Sequence, residues 1–179
     1  MIKSKLIILS FLTTLISSFS PIRSNDCKSN SVNDSNSEVQ IDISVRAVEF
    51  VKNLKNGKNL SSFFVDNWTF IYHEDNRCDG STDGQTNNLK STQIDTVIKI
   101  QVKNDGAGWA CDAKNPKTYD LEFDIKKEIT NWDRFEIPNY ENQNENIVYV
   151  VGAGESDYLV LHYDNKLIVK LEYRSEDPG

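Results

Sequence analysis

From Trp68 onward the chain is ruled by a period of two. Trp68, Phe70 and Tyr72 alternate with Thr69, Ile71 and His73. Ile98, Ile100 and Val102 alternate with Lys99, Gln101 and Lys103. Tyr119, Leu121, Phe123 and Ile125 alternate with Asp120, Glu122, Asp124 and Lys126. Successive side chains of a strand point to opposite faces, so such runs build sheets with one apolar face and one wet face, the habit of antiparallel pairing. "NIVYVVG", "DYLVLHY" and "LIVKLEYR" supply three more strands, the last two joined by the tight turn "DNK" at Asp164 to Lys166. "IKKEITNWDRF", between Ile125 and Phe135, is ambiguous between helix and strand.

Before the strands the period changes. "VQIDISVRAVEFVKNLKNG" places Ile41, Val45, Val48 and Val51 at three- and four-residue spacings, with Phe50 and Leu54 nearby. Ser44 is the candidate N-cap and Gly57 the candidate residue just past the C-terminus. "KNLSSFF" fits a short second helix. One long helix followed by a run of antiparallel strands is the α+β class.

The stretch "SVRAVEFVKNLKNGKNLSSFFVDNWTFIYHED" reads as a helix, a short Gly/Asn break and then "FFVDNWTFIY" entering the first strand. That order resembles the NTF2-like (SnoaL-like) superfamily over about Val39 to Glu172. The resemblance implies an N-terminal helix packed into the concave face of a strongly curved antiparallel sheet, closing a cone. Cystatin-like folds share the same plan. On this reading the helix from Ser44 to Leu54 buries Val45, Val48, Val51 and a neighbouring Phe50 or Leu54. Trp68, Phe70, Tyr72, Leu121 and Phe123 are the large residues expected beneath it. The superfamily hosts isomerases, dehydratases, ligand carriers, toxin-neutralising immunity proteins and binding modules, so the fold alone licenses no single function.

The N-terminal stretch belongs to targeting rather than to the fold. Lys3 and Lys5 precede an apolar run from Leu6 to Ile16, too short to span a bilayer comfortably, and serines follow. Residues 1–24 are read as a signal peptide. Residues 25–38, "NDCKSNSVNDSNSE", hold Val32 as their one large apolar residue and cannot bury enough surface to offset their ordering entropy. They are read as a disordered tether, and residues 39–179 as one domain. A periplasmic or secreted location follows from the signal. The whole chain carries a net charge of −7. Lys3, Lys5 and Arg23 are the only charges up to Ser24, so loss of that segment leaves about −10. Such a surface repels the phosphates of nucleic acid and an anionic membrane alike, and suits a basic protein partner or a small ligand.

"YHEDNRCDGSTDGQ" is the densest run of polar chemistry. Asp79, Ser81 and Asp83 stand at alternate positions before Gly84, like the start of an EF-hand loop. The twelfth position of such a loop needs a bidentate glutamate and here is Lys90, and no helix pattern precedes Asp79. His73 and Cys78 lack the second close pair that zinc requires. No metal or cofactor is therefore expected. His73 and His162 are the candidates for proton transfer. General acid–base work needs a tuned group within hydrogen-bond reach of substrate, and a solvated histidine is the commoner arrangement. Cys78 and Cys111 each lie in a turn-rich loop after a candidate strand, and in an oxidising compartment they are natural disulfide partners. Cys27, in the tether, is left over. "GAGE" at Gly152 to Glu155 lies between strands rather than before a helix, so it reads as a hairpin turn and not a phosphate loop.

The functional expectation is an exported, non-enzymatic NTF2-like binding domain that engages a ligand or protein through its acidic surface or its cone mouth. One alternative is an immunity-type inhibitor that covers the active site of a secreted toxin. The other is a small isomerase or hydrolyase using His73 or a cone-facing carboxylate.

Overall fold

The computed structural model describes residues 34–132, 134–138, 146–152 and 156–176. The expected signal peptide, Cys27 and most of the "GAGE" turn lie outside the described residues. Helix α1 spans Asp34–Lys55 and begins inside the stretch assigned to a tether. A 3-10 turn at Ser61–Phe63 leads into β1, Phe64–Asn76. Strands β2 (Gly80–Leu89), β3 (Ile98–Asn104) and β4 (Lys117–Phe123) follow. A short helix, α2, occupies Ile125–Thr130, where Asp124 caps it by accepting from the Lys126 and Lys127 amides at 3.1 and 3.2 Å. The order closes with β5 (Phe135–Glu136), β6 (Ile147–Gly152), β7 (Asp157–Asp164) and β8 (Leu167–Glu176). The α+β class stands.

The eight strands form one sheet in the order β4-β3-β2-β1-β8-β7-β6-β5. Two antiparallel meanders, β1 to β4 and β5 to β8, meet where β1 lies parallel to β8. The sheet is therefore mixed, which corrects the all-antiparallel expectation. Alternation tells which face a side chain takes but carries no information about the direction of the neighbouring strand. Asn67 and Asn88, at φ 70° and 59°, flank Trp68 and Leu89, which are paired across β1 and β2, and the register slips beside them. Asparagine tolerates that left-handed backbone, and the resulting bulge bends the sheet around Trp68. The β7–β8 turn is built as expected, on Asn165 and Lys166 with φ 47° and 67°, which matches the twist of the two strands.

The helix buries Ile43, Ala47, Phe50, Val51 and Leu54. Val45 is 54% exposed, which corrects the expected set. The buried stripe runs 43, 47, 50, 54, and Val45 lies about 200° around the helix from Ile43, on its far side. Beneath that stripe the rings form a continuous chain. Phe50 meets Phe63 and Phe64 edge-on at 5.6 and 5.8 Å, and Phe64 meets Trp68 at 4.6 Å. Phe70 stacks on Phe123 at 5.2 Å, and Phe123 touches Tyr173 at 4.7 Å. No described helix is long and apolar enough to cross a membrane.

Candidate functional site

The strand assignments separate the candidate residues onto two faces. Trp68, Phe70 and Tyr72 point inward, so His73 points to the outer face. There its Nδ1 lies 2.6 Å from Asp83 Oδ1, its neighbour in register on β2. The His73 side chain is 25% exposed and that of Asp83 is 64% exposed. Asp120 and Glu122 are on β4, three strands from the β1 that carries His73.

His162 is on the same outer face, in a denser cluster. Its Nε2 is 2.7 Å from Glu172 Oε1. Lys170 Nζ reaches the same oxygen at 2.9 Å, while Arg174 grips Oε2 through Nε at 3.0 Å and Nη2 at 2.8 Å. Glu172 is only 6% exposed. Burial pushes its carboxyl up, but the hydrogen bonds from Lys170, Arg174 and His162 outweigh burial and hold it at about 2. Burial likewise drives His162 below the ordinary imidazole value, assisted by Lys170 and Arg174 and opposed by Glu172. Period-two spacing within "KLEYR" is the signal that could have revealed this row; it lines up Lys170, Glu172 and Arg174 on one face.

Of the three oxygen ligands weighed for calcium, Asp79 pairs with Lys114, Ser81 Oγ donates to Asp75 at 3.3 Å, and Asp83 faces His73. Gly80–Leu89 is a strand and not a loop, so these side chains do not wrap a common centre. Among the described residues no group of three or more His, Cys, Asp or Glu is placed to hold a metal.

Cys78 and Cys111 are bonded, with Cα atoms 4.8 Å apart. The bond pins the β1–β2 turn to the β3–β4 loop, and main-chain contacts reinforce it. The Ala110 amide donates to the Arg77 carbonyl at 3.0 Å, and Asp105 Oδ1 accepts from the Ser81 and Ala107 amides at 2.9 Å each. Gly108 must be glycine for the approach, since a Cβ there would lie 2.4 Å from the Cys78 carbonyl carbon. On this stapled platform Trp109 stands 63% exposed, with the Arg77 guanidinium 5.0 Å from its ring centre. Nothing in the sequence pattern separates an exposed loop tryptophan from a buried one.

The inward face ends in two tyrosines. Tyr72 and Tyr173 stack at 5.6 Å; the Tyr72 hydroxyl donates to Glu74 Oε2 at 2.7 Å and the Tyr173 hydroxyl to Glu128 Oε1 at 3.3 Å. Burial first, then the adjacent carboxylates, raises both phenols well above their ordinary value and keeps them neutral. Glu74 and Glu128 are carboxylates beside the inward-facing rings that the sequence left unnamed.

No family model, no curated protein and no solved structure matches the chain.

Proposed function

We propose that the protein is an exported, non-enzymatic binding domain of NTF2-like type that meets its partner with its surface. The observation that supports this is the filling of the space between α1 and the sheet. Phe50, Phe64, Trp68, Phe70, Phe123 and Tyr173 sit ring against ring where a substrate would have to enter. An enzyme using His73 would need that residue inside a cavity, whereas its partner Asp83 is a largely exposed residue of the outer face. Native mass spectrometry of the exported protein from its own host tests the reading. A stoichiometric protein partner supports it; a retained small molecule overturns it.

A second reading, the immunity-type inhibitor, is favoured by one specific feature. The exposed aromatics Trp109 and Tyr119 lie close in sequence, on the β3–β4 loop and on β4. Aromatics on a rigid support are the usual anchors of protein recognition. Both readings place recognition on the surface, and they differ in whether the partner is an active toxin.

A further inference from the structure

The two edges of the sheet are unlike. β5 is a two-residue strand, whereas β4 runs seven residues with nothing paired to its outer side among the described residues. Lys117 to Asp120 are all exposed. A strand in this position presents a row of free backbone donors and acceptors, the template on which another strand can be added. Of the four large hydrophobics exposed among the described residues, three lie at this strand or its neighbour: Trp109 in the loop before it, Tyr119 within it, and Val97 just before its partner β3.

The side chains of β4 restrict what can pair there. Tyr119 and Leu121 take the inner face, opposite Val102 and Ile100; Asp120 and Glu122 take the outer face, opposite Gln101 and Lys99. Glu122 is 3.3 Å from Lys99, while Asp120 has no ion pair among the described residues. These groups line an open depression of about 380 Å³ beside the edge. A second copy pairing antiparallel over the whole strand would set Asp120 directly against Asp120. Moving the centre to Leu121 sets it against Glu122, and moving it to Tyr119 sets it against Thr118 but leaves only five residues paired. Like charges directly opposite destabilise a strand pair. The charges that disfavour a second copy over the whole strand complement a strand carrying the opposite charge.

We infer that β4 is a docking edge for an extended segment of a partner protein in which Lys or Arg alternates with apolar residues. The basic side chains meet Asp120 and Glu122 on the outer face, and the apolar ones extend the surface of Tyr119 and Leu121. This inference rests on the surface-binding reading above and names the surface and the chemistry of its partner.

The test uses the full chain and a short blocked peptide alternating Lys with Val and Thr. Its controls are the same residues in segregated blocks and the alternating peptide with Glu in place of Lys. Binding of the first peptide is expected to slow amide exchange within 117–123 by roughly tenfold or more, the signature of new backbone pairing. Asp120→Lys is expected to weaken that peptide by roughly tenfold and to reverse the preference toward the Glu peptide. Tyr119→Ser, at an exposed position, provides a second variant that weakens both peptides alike. The inference is overturned if β4 exchange is unchanged, if the block peptide binds equally, or if the chain alone protects β4 in a concentration-dependent way, which would make a second copy the occupant. Should a protein partner co-purify while the peptide leaves β4 unprotected, the edge assignment fails and the surface reading stands. A retained small molecule overturns the surface reading instead.

Discussion

Glu172 Oε1 lies 2.7 Å from His162 Nε2, on the outer face of the sheet and away from the ring-filled side. With Lys170 and Arg174 completing the set, a nearly buried carboxylate is held by three basic side chains. Both titrations push in one direction. The folded Glu172 carboxyl sits at about 2 against an ordinary 4.5, so its contribution is fully present above 4.5 and is lost as pH falls toward 2. His162 is depressed below 6.5, so its protonation also opposes folding as pH falls below that value. Stability is expected to decline from about pH 6.5 downward, with Glu172 contributing about 1–2 kcal/mol after screening of its part-exposed partners. Urea midpoints across pH check this, and Glu172→Gln should flatten the acidic limb. A wild-type limb that survives the substitution would assign the loss to His162 or to other carboxylates.

Glu172→Gln at neutral pH leaves Lys170 and Arg174 facing a neutral amide. Removing one partner of a buried ionic group costs more than an exposed pair would. We expect a loss of about 1–2 kcal/mol by urea unfolding, with the fold retained, because Lys170 and Arg174 are themselves part-exposed.

The disulfide closes a loop across a sequence separation of 33 residues. Replacing both Cys78 and Cys111 with serine should cost about 3–4 kcal/mol in the chain-entropy picture. Amide exchange at 105–116 should quicken as well, because the β3–β4 loop is held to the β1–β2 turn by that bond and a few main-chain contacts. Thermal melts with and without reductant provide the measurement; equal melting temperatures would show that the hydrogen bonds suffice.

His73→Ala removes a contact between a part-exposed imidazole and a largely exposed carboxylate. Pairs of this kind are worth little, and a change of about 0.5 kcal/mol or less is expected. A loss several times larger in chemical denaturation would mean that His73 supports more than Asp83.

The Tyr163 hydroxyl is buried without a hydrogen-bond partner among the described residues. Deleting an unsatisfied buried hydroxyl relieves its desolvation, so Tyr163→Phe should raise stability by about 0.5–1 kcal/mol. A lowered denaturation midpoint would show that the hydroxyl is bonded in solution.

What the sequence made legible follows from the physics of each element. β1, β3 and β4 announced themselves because apolar and polar residues alternate along them, and β6, β7 and β8 because short apolar runs are bounded by turn residues. β2 did not, since "GSTDGQTNNL" carries Leu89 as its one large apolar residue. Its inward positions are small for a reason visible only in register. Gly84 lies opposite Tyr72 and Thr86 opposite Phe70, so β2 leaves room for the rings of β1. A Cβ on Gly84 would come within 2.7 Å of Val102 Cγ1. The stapled loop was readable from two cysteines in two turn contexts. The Glu172 cluster and the Glu74 and Glu128 contacts were not, because cross-strand neighbours depend on a register that no local pattern specifies. On the helix Phe50, Val51 and Leu54 are buried as expected, while Val45 is exposed and Ile43 and Ala47 complete the buried stripe.

The parallel seam between β1 and β8 sets the order in which the domain can be assembled. Each meander pairs only strands that follow one another, so each can zip up locally as it emerges from synthesis. The seam joins Thr69 to Lys170 and Asp75 to Glu176, contacts separated by nearly the whole domain. Until β8 arrives, β1 carries the rings of the core with one side bare. Until the last strand pairs beside the first, that bare side is an open strand edge on which another chain can add.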